Sequence, residues 1–426
     1  MKLNLKPTVR INALSLSKFA FLVFALYIFW FRYAYGMNQI IFYGSAILVA
    51  LFVGLDILVR GQLSLAKMPK IVKAYFVLAF YAFVSGVFVA QNKSSVISAV
   101  ISFTAYTVIC FSAAYISDIE GSFDWASKIL VICGVVVAAY IYFRGYSYET
   151  SGVTAITLGE EHNPNYLGGS ILAVIFALLY DFERFQKRII FHSLLLLLFI
   201  GVVIFSASRT SFIGLVLLLV GWVVRYAVAI RKKELSKISP ESGQFKKDFL
   251  AASILLIGVG VGIFFLFNEF DGTAVYEKFV RSLNEGEGFA SRRLLYREAW
   301  QIFLKHPLFG VGLDQFREYS SNGMYSHAVY AEIPSCLGIF GCLIFFFPLF
   351  STYFQMMGTF FHRKLYSSTD FMLLLMLTVE LVIGIGHIHL YAFHSLLVLT
   401  MIFWILEHKN QNTPPLTDEQ EGISNV

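Results

Sequence analysis

Residues 189–230 read IIFHSLLLLLFIGVVIFSASRTSFIGLVLLLVGWVVRYAVAI, two apolar runs divided by Ser208-Arg209-Thr210. A helix needs about 20 apolar residues to cross the hydrocarbon core of a bilayer. The stretch therefore predicts two spans, near 189–207 and 211–230, joined by a polar turn. Working outward, windows of the same kind recur near 17–35, 38–58, 71–90, 95–116, 128–143, 164–180, 249–268, 331–354, 370–388 and 391–406. The expectation is an all-α polytopic membrane protein with about twelve transmembrane helices, a single integral membrane domain over 1–426. Composition agrees. Of 426 residues, 58% are hydrophobic, 17% aromatic and only 14% charged, with a mean hydropathy of +0.70, far outside the averages of soluble domains.

Lys and Arg set the orientation, because short basic loops stay on the cytoplasmic side. Lys2, Lys6 and Arg10 put the N-terminus there, and every second connection follows: 60–73, 117–128, 181–188, 231–247 and 362–364. Only 117–128 lacks a positive excess, since Asp118, Glu120 and Asp124 outnumber Lys128, and acidic residues contribute little to the rule. The polar tail 408–426, with Pro414-Pro415, is then cytoplasmic and the polar segment 269–330 lies outside. The net charge of +6 is thus mostly membrane topology. Nucleic acid is excluded as a partner, because no continuous basic stripe with interleaved aromatics appears. Cys110, Cys133, Cys336 and Cys342 all fall in expected spans and read as buried small hydrophobes. The first span is long, without a small-residue cleavage site, and reads as a retained helix.

Segment 269–330 is the only long polar stretch away from the termini, and it holds the chemically capable residues. Ser291 to His306 has Leu295, Ala299, Ile302 and Phe303 at spacings of three and four, which predicts a surface helix with Ser291 as N-cap and Pro307 at its end. Gly310 and Gly312 suit a tight reversal. Asp314 to Ser326 then returns to the bilayer, with His327 just above the span that begins near Ala331.

Ser291-Arg292, Leu295-Tyr296, Ala299, Ile302-Phe303, His306-Pro307-Leu308-Phe309-Gly310-Val311-Gly312, then His327, Tyr330, Gly338 and Gly341 together resemble the O-antigen ligase and polymerase superfamily. His162-Asn163-Pro164-Asn165-Tyr166-Leu167-Gly168 resembles its Asn-Pro-Asn element before a membrane helix, and Ser208-Arg209-Thr210-Ser211-Phe212-Ile213-Gly214 its Ser-Arg element. The resemblance runs from about Asn163 to Gly341; the first 150 residues share only hydropathy. It implies a C-type glycosyltransferase-like fold with a large periplasmic loop. It further implies a metal-independent enzyme of the bacterial inner (cytoplasmic) membrane, multi-pass, with a periplasmic active site. The donor would be a glycan on undecaprenyl pyrophosphate, used without any cofactor. A ligase transfers the finished glycan to lipid A-core oligosaccharide or a similar glycolipid acceptor in lipopolysaccharide biosynthesis. An O-antigen or exopolysaccharide polymerase transfers it to the next lipid-linked unit. Besides membrane lipids, donor and acceptor are the implied partners. By motif position the two arginines that engage pyrophosphate are Arg209 and Arg292, and the histidine near the acceptor is His327. Substrate contacts are expected from Arg293, Asn163, Asn165 and Tyr330.

The residue types suit that chemistry independently. Cleaving a bond between an anomeric carbon and pyrophosphate leaves concentrated negative charge, which preorganised guanidinium groups stabilise as it develops. The acceptor hydroxyl must lose a proton, for which histidine is suited as base or as orienting group. No Asp-x-Asp pair on the outer side signals a divalent cation. Plainer readings stand beside these. Arg209 also fits an interfacial arginine snorkelling to lipid phosphates, Arg292 or Arg293 the wet face of a surface helix, and Asn163-Pro164-Asn165 a capped helix start. His306 reads as structural, and Glu380, His387 and His389, in or beside a late span, as an interhelical hydrogen-bond set. The chain departs from the ligases in having Ala328 directly after the motif histidine and Cys336 two positions before Gly338, where an acid is common; Glu332 is a candidate to replace it. Those departures leave ligase against polymerase open, with ligase ahead. Transport is the rival class, and few of its marks, such as inverted repeats or midplane ionisable groups, are present.

Overall fold

The computed structural model describes residues 7–61, 67–150, 153–159, 163–185, 189–231, 287–362 and 368–412. Helix α1 (Pro7–Leu26) continues through a π-helical stretch, Tyr27–Phe31, to Tyr35. Gly36, at φ 88°, turns the chain, and Asn38 caps α2 (Gln39–Arg60) by accepting from the amides of Ile40 and Ile41. Helices α3 (Lys70–Val89), α4 (Lys93–Glu120) and α5 (Asp124–Arg144) follow, then α6 (Pro164–Phe185), α7 (Ile189–Phe205) and α8 (Arg209–Arg231). The later part comprises α9 (Glu287–Lys305), the short α10 (Phe316–Tyr319), α11 (Val329–His362), α12 (Ser368–Ile383) and α13 (Phe393–Asn412).

Among the described residues, seven helices are long and apolar enough to cross a membrane, and three shorter apolar helices accompany them. The span expected near 249–268, the beginning of segment 269–330 and the end of the tail lie outside the described residues. The helical fold class holds; its one addition among the described residues is a short hairpin, β1 (Tyr146–Thr150) and β2 (Val153–Thr157), paired antiparallel with Tyr146 opposite Thr157. Two expectations are corrected. The surface helix starts at Glu287, a full turn before Ser291, so Ser291 is not its cap. The stretch expected to span near 370–388 is helical only to Ile383; His387 and His389 sit in the loop that follows.

Helices α6 and α13 form the centre. Every residue from Ile171 to Leu179, and from Leu396 to Phe403, is buried, the pattern of helices surrounded by others. Helices at the margin keep an apolar face outward, as Ile47, Leu51, Leu55 and Leu58 do on α2. Where lipid tails match that apolarity, association rests on close packing of small residues and on hydrogen bonds. Gly168 is one such place, since a Cβ there would meet the Ser211 side chain at 2.5 Å. It lets α6 and α8 touch.

The chain reversals gather at two ends of the bundle. One end is tied by Lys18 with Glu120, the Lys70 amide with Glu407, and His408 with Asp118. At the other end, Asn92 bonds Gln315 and Glu318, Asn163 bonds Tyr325, and Tyr296 bonds Ile385. That second end holds the residues singled out by chemistry.

Candidate active site

The Pro307–Gly312 motif explains itself as a clip on a broken helix. Within α11, Gly338 takes non-helical angles (φ 63°) and interrupts the ladder. Freed backbone groups inside a membrane need partners. The motif supplies them: the Val311 and Gly312 amides donate to Ser335 and Cys336 carbonyls (3.1 and 2.7 Å), and the Ile339 amide donates to Pro307 (2.8 Å). Contact is so close that a Cβ at Gly310 would lie 2.3 Å from Cys336 backbone, and one at Gly338 2.3 Å from the Leu308 oxygen. Both glycines also have positive φ, so other residues are excluded twice over.

Two helix N-termini meet at the same end of the bundle. Asn163 caps α6, its carbonyl oxygen accepting from the Asn165 amide (2.8 Å), with Pro164 in the first turn. Ser208 caps α8 by accepting from the Ser211 amide (3.3 Å). Asn165 then joins the two starts, its side-chain oxygen accepting from Ser208 at 2.7 Å and Thr210 at 3.4 Å. Arg209 is the first residue of α8, so its charge adds to the positive end of the helix dipole. Ala207 before it carries φ 51°, a left-handed turn that costs a non-glycine residue free energy.

Arg292 comes from α9. Leu295, Ala299 and Ile302 are buried on one face, while Leu294, Trp300 and Leu304 are exposed on another, as in a helix lying at a membrane interface. Arg292 approaches Gly386 so closely that a Cβ there would be 3.2 Å from its Nη1 and 2.3 Å from Cγ2 of Thr210. Arg209 and Arg292 repel one another electrostatically. Neither has a carboxylate partner among the described residues.

His327 completes the cluster. It adopts φ 60°, an outlier for a non-glycine residue and a mark of functional sites. Its ring lies 4.1 Å from that of Tyr325, whose hydroxyl is held by Asn163 Nδ2 at 2.5 Å and whose face is covered by Arg317 at 5.3 Å. The Ser326 amide donates to buried Glu332 (2.9 Å), and Tyr391 donates to the same carboxylate (3.2 Å). Burial, then the charges of Arg292 and Arg317, push the His327 imidazole down to about 4. At neutral pH it is uncharged and free to accept a proton.

Arg292 is therefore within electrostatic reach of both Arg209 and His327. Asn163 and Asn165 lie beside them, with their oxygens engaged in fixing the backbone and α8. Arg293 is one residue round the helix and exposed. Tyr330 gives its hydroxyl to the Leu381 carbonyl (2.7 Å) and stacks on Phe346. Tyr330 also lines an apolar groove of about 270 Å³ between α9 and α11, with Tyr296, Trp300, Phe303 and Pro334. His306 is exposed near Tyr319. Glu332 is occupied in holding the histidine arm. Sequence reasoning missed Arg317 and Tyr325. Arg317 pairs with Asp314 (2.8 Å), and the Asp-x-x-Arg spacing in a polar segment was its only local signal; Tyr325 carried none beyond adjacency to Ser326-His327.

No curated protein matches the chain. Residues 193–346, from α7 through the clip and into α11, match the family model described as O-Antigen ligase. That segment carries Arg209, Arg292, Arg317 and His327, so the similarity to the O-antigen ligase family covers these residues of the site.

Proposed function

We propose that the chain is a C-type-like glycosyltransferase of about twelve spans, working at the periplasmic face of the bacterial inner membrane. It moves a glycan from undecaprenyl pyrophosphate to an acceptor hydroxyl, with lipid A-core oligosaccharide or a similar glycolipid as acceptor. The observation that carries this reading is that Arg292 is coupled both to Arg209 and to an uncharged His327, with no carboxylate partner for either arginine among the described residues.

The acceptor hydroxyl attacks the anomeric carbon, the bond from that carbon to the pyrophosphate oxygen breaks, and the hydroxyl proton passes to His327. Arg209 and Arg292 take up the charge left on the polyprenyl pyrophosphate, aided by the N-terminus of α8. Guanidinium groups thus do the electrostatic work that a divalent cation does elsewhere. A bound diphosphate offsets the cationic charge that depresses His327, so donor binding raises its affinity for the proton it must accept. The apolar groove beside Tyr330 seats the first isoprene units of the donor.

Reconstituted protein given polyprenyl-pyrophosphate-linked glycan and acceptor should release polyprenyl pyrophosphate in step with glycan transfer. Protein that moves the glycan across a sealed vesicle without converting it would contradict the proposal. A repeat-unit polymerase uses the same geometry with a lipid-linked acceptor. Departure from the ligase pattern at Ala328 and Cys336 favours keeping that second reading. Surface glycans of a gene-deleted strain separate the two: long unattached chains mark a lost ligase, single capped units a lost polymerase.

A further inference from the structure

The loop between α12 and α13 lies outside the matched segment, yet three arms of the site rest on it. The Val329 amide, two residues after His327, donates to both Gly384 and His387 carbonyls at 3.0 Å. Tyr296, on the helix that carries Arg292, donates its hydroxyl to the Ile385 carbonyl at 2.6 Å. Gly386 is the surface against which Arg292 and Thr210, next to Arg209, both pack. The loop itself is locked from below. His389 Nε2 lies 3.0 Å from the Glu380 main-chain carbonyl and 3.0 Å from its carboxylate. Both are buried, at 4% and 1% exposure. A carbonyl oxygen only accepts, so Nε2 carries the proton. His389 thereby ties off the C-terminus of α12, whose Glu380 carbonyl also receives the Gly384 amide (3.1 Å).

We propose that residues 384–389, locked by His389 on Glu380, are a strut that sets the relative positions of the arms bearing Arg209, Arg292 and His327. His389 is a positioning residue, with no part in proton transfer. The proposal rests on the glycosyl-transfer reading, because it concerns the geometry of that site. Displacement of a reacting group by about 1 Å costs on the order of 100-fold in rate, and loosening the strut is displacement of that kind.

The test compares His389→Ala with His389→Gln in the reconstituted transfer assay. Glutamine places an N–H donor where Nε2 stood. His389→Ala should lower kcat about 100-fold with donor KM changed less than about threefold, and His389→Gln should recover most of the loss. Gly386→Ala, which drives a methyl into Thr210 Cγ2, should be equally impaired, and adding Thr210→Ser, which removes that atom, should restore turnover. The suppressor pair decides the matter if His389→Ala does not fold. Wild-type kcat in His389→Ala, a glutamine variant no better than alanine, or Gly386→Ala without defect overturns the strut. The wild type in the same assay keeps the two ideas apart: no transfer by it sinks the transferase reading, whereas transfer by the wild type and equally by His389→Ala sinks only the strut.

Discussion

The two ends of the bundle treat charge in opposite ways. At one end basic side chains meet carboxylates: Lys18 with Glu120, Arg60 with buried Asp56 at 2.6 Å, His408 with Asp118 at 2.8 Å, and His192 with Asp181 at 3.0 Å. Asp56 receives the Tyr115 hydroxyl as well. At the other end Arg209 and Arg292 face each other without a carboxylate partner among the described residues, and the buried acid nearby, Glu332, is occupied by Ser326 and Tyr391. Like charges held together in a fold cost free energy. The first arrangement is complete in itself; the second, on the proposed function, takes an anion to complete it.

Substitutions at the two ends should therefore fail differently. Arg292→Ala and Arg209→Ala should each lower turnover by roughly 100- to 1,000-fold while the melting temperature of purified protein holds or rises, because a repulsion is removed. A fall in melting temperature with normal turnover per folded molecule would erase the distinction between the ends. His327→Ala should cost about 100-fold or more in kcat. His327→Gln sharpens the result, since a glutamine that orients the hydroxyl without accepting its proton should remain as slow as alanine if the imidazole is the base. Arg60→Ala belongs to the other class: it strands Asp56 and should destabilise by up to about 3 kcal/mol, seen as a lower melting temperature, with turnover per folded molecule retained.

The smallest effect concerns pH. With the imidazole depressed to about 4, kcat/KM should be flat on its acid side from pH 5 upward and fall as pH drops through about 4. Arg317→Gln removes one of the two cations that depress it, so the limb should move to higher pH, by less than about one unit. A shift to lower pH, or none, would show that Arg317 does not act on His327.

Much of this was legible in the chain. Apolar runs of bilayer length locate the membrane helices because their only requirement is composition. The Asn163, Ser208, Arg292 and His327 blocks each carry local chemistry readable in place. Less legible was whatever depends on partners far along the chain. The α11 break at Gly338 follows from the clip at Pro307–Gly312, about 30 residues earlier. Asn163 reads as a cap, and its second bond, to Tyr325, could not be seen. The early start of α9 at Glu287 overrides a plausible Ser291 cap, and the β1–β2 hairpin is signalled only by the Ser151-Gly152 turn dipeptide between its strands. His389 looked like one more polar residue near a late span, and its meaning emerges only when Gly386 is seen between Arg292 and Thr210.

The contrast between the ends reduces to one measurement: binding of farnesyl pyrophosphate and farnesyl monophosphate to purified wild-type, Arg209→Ala, Arg292→Ala and doubly substituted protein. Wild type should prefer the diphosphate, each single substitution should weaken it about tenfold or more, and the double substitution should add less than the sum, with binding that declines as salt rises. Equal affinity across the four proteins would mean that the two arginines are not an anion site.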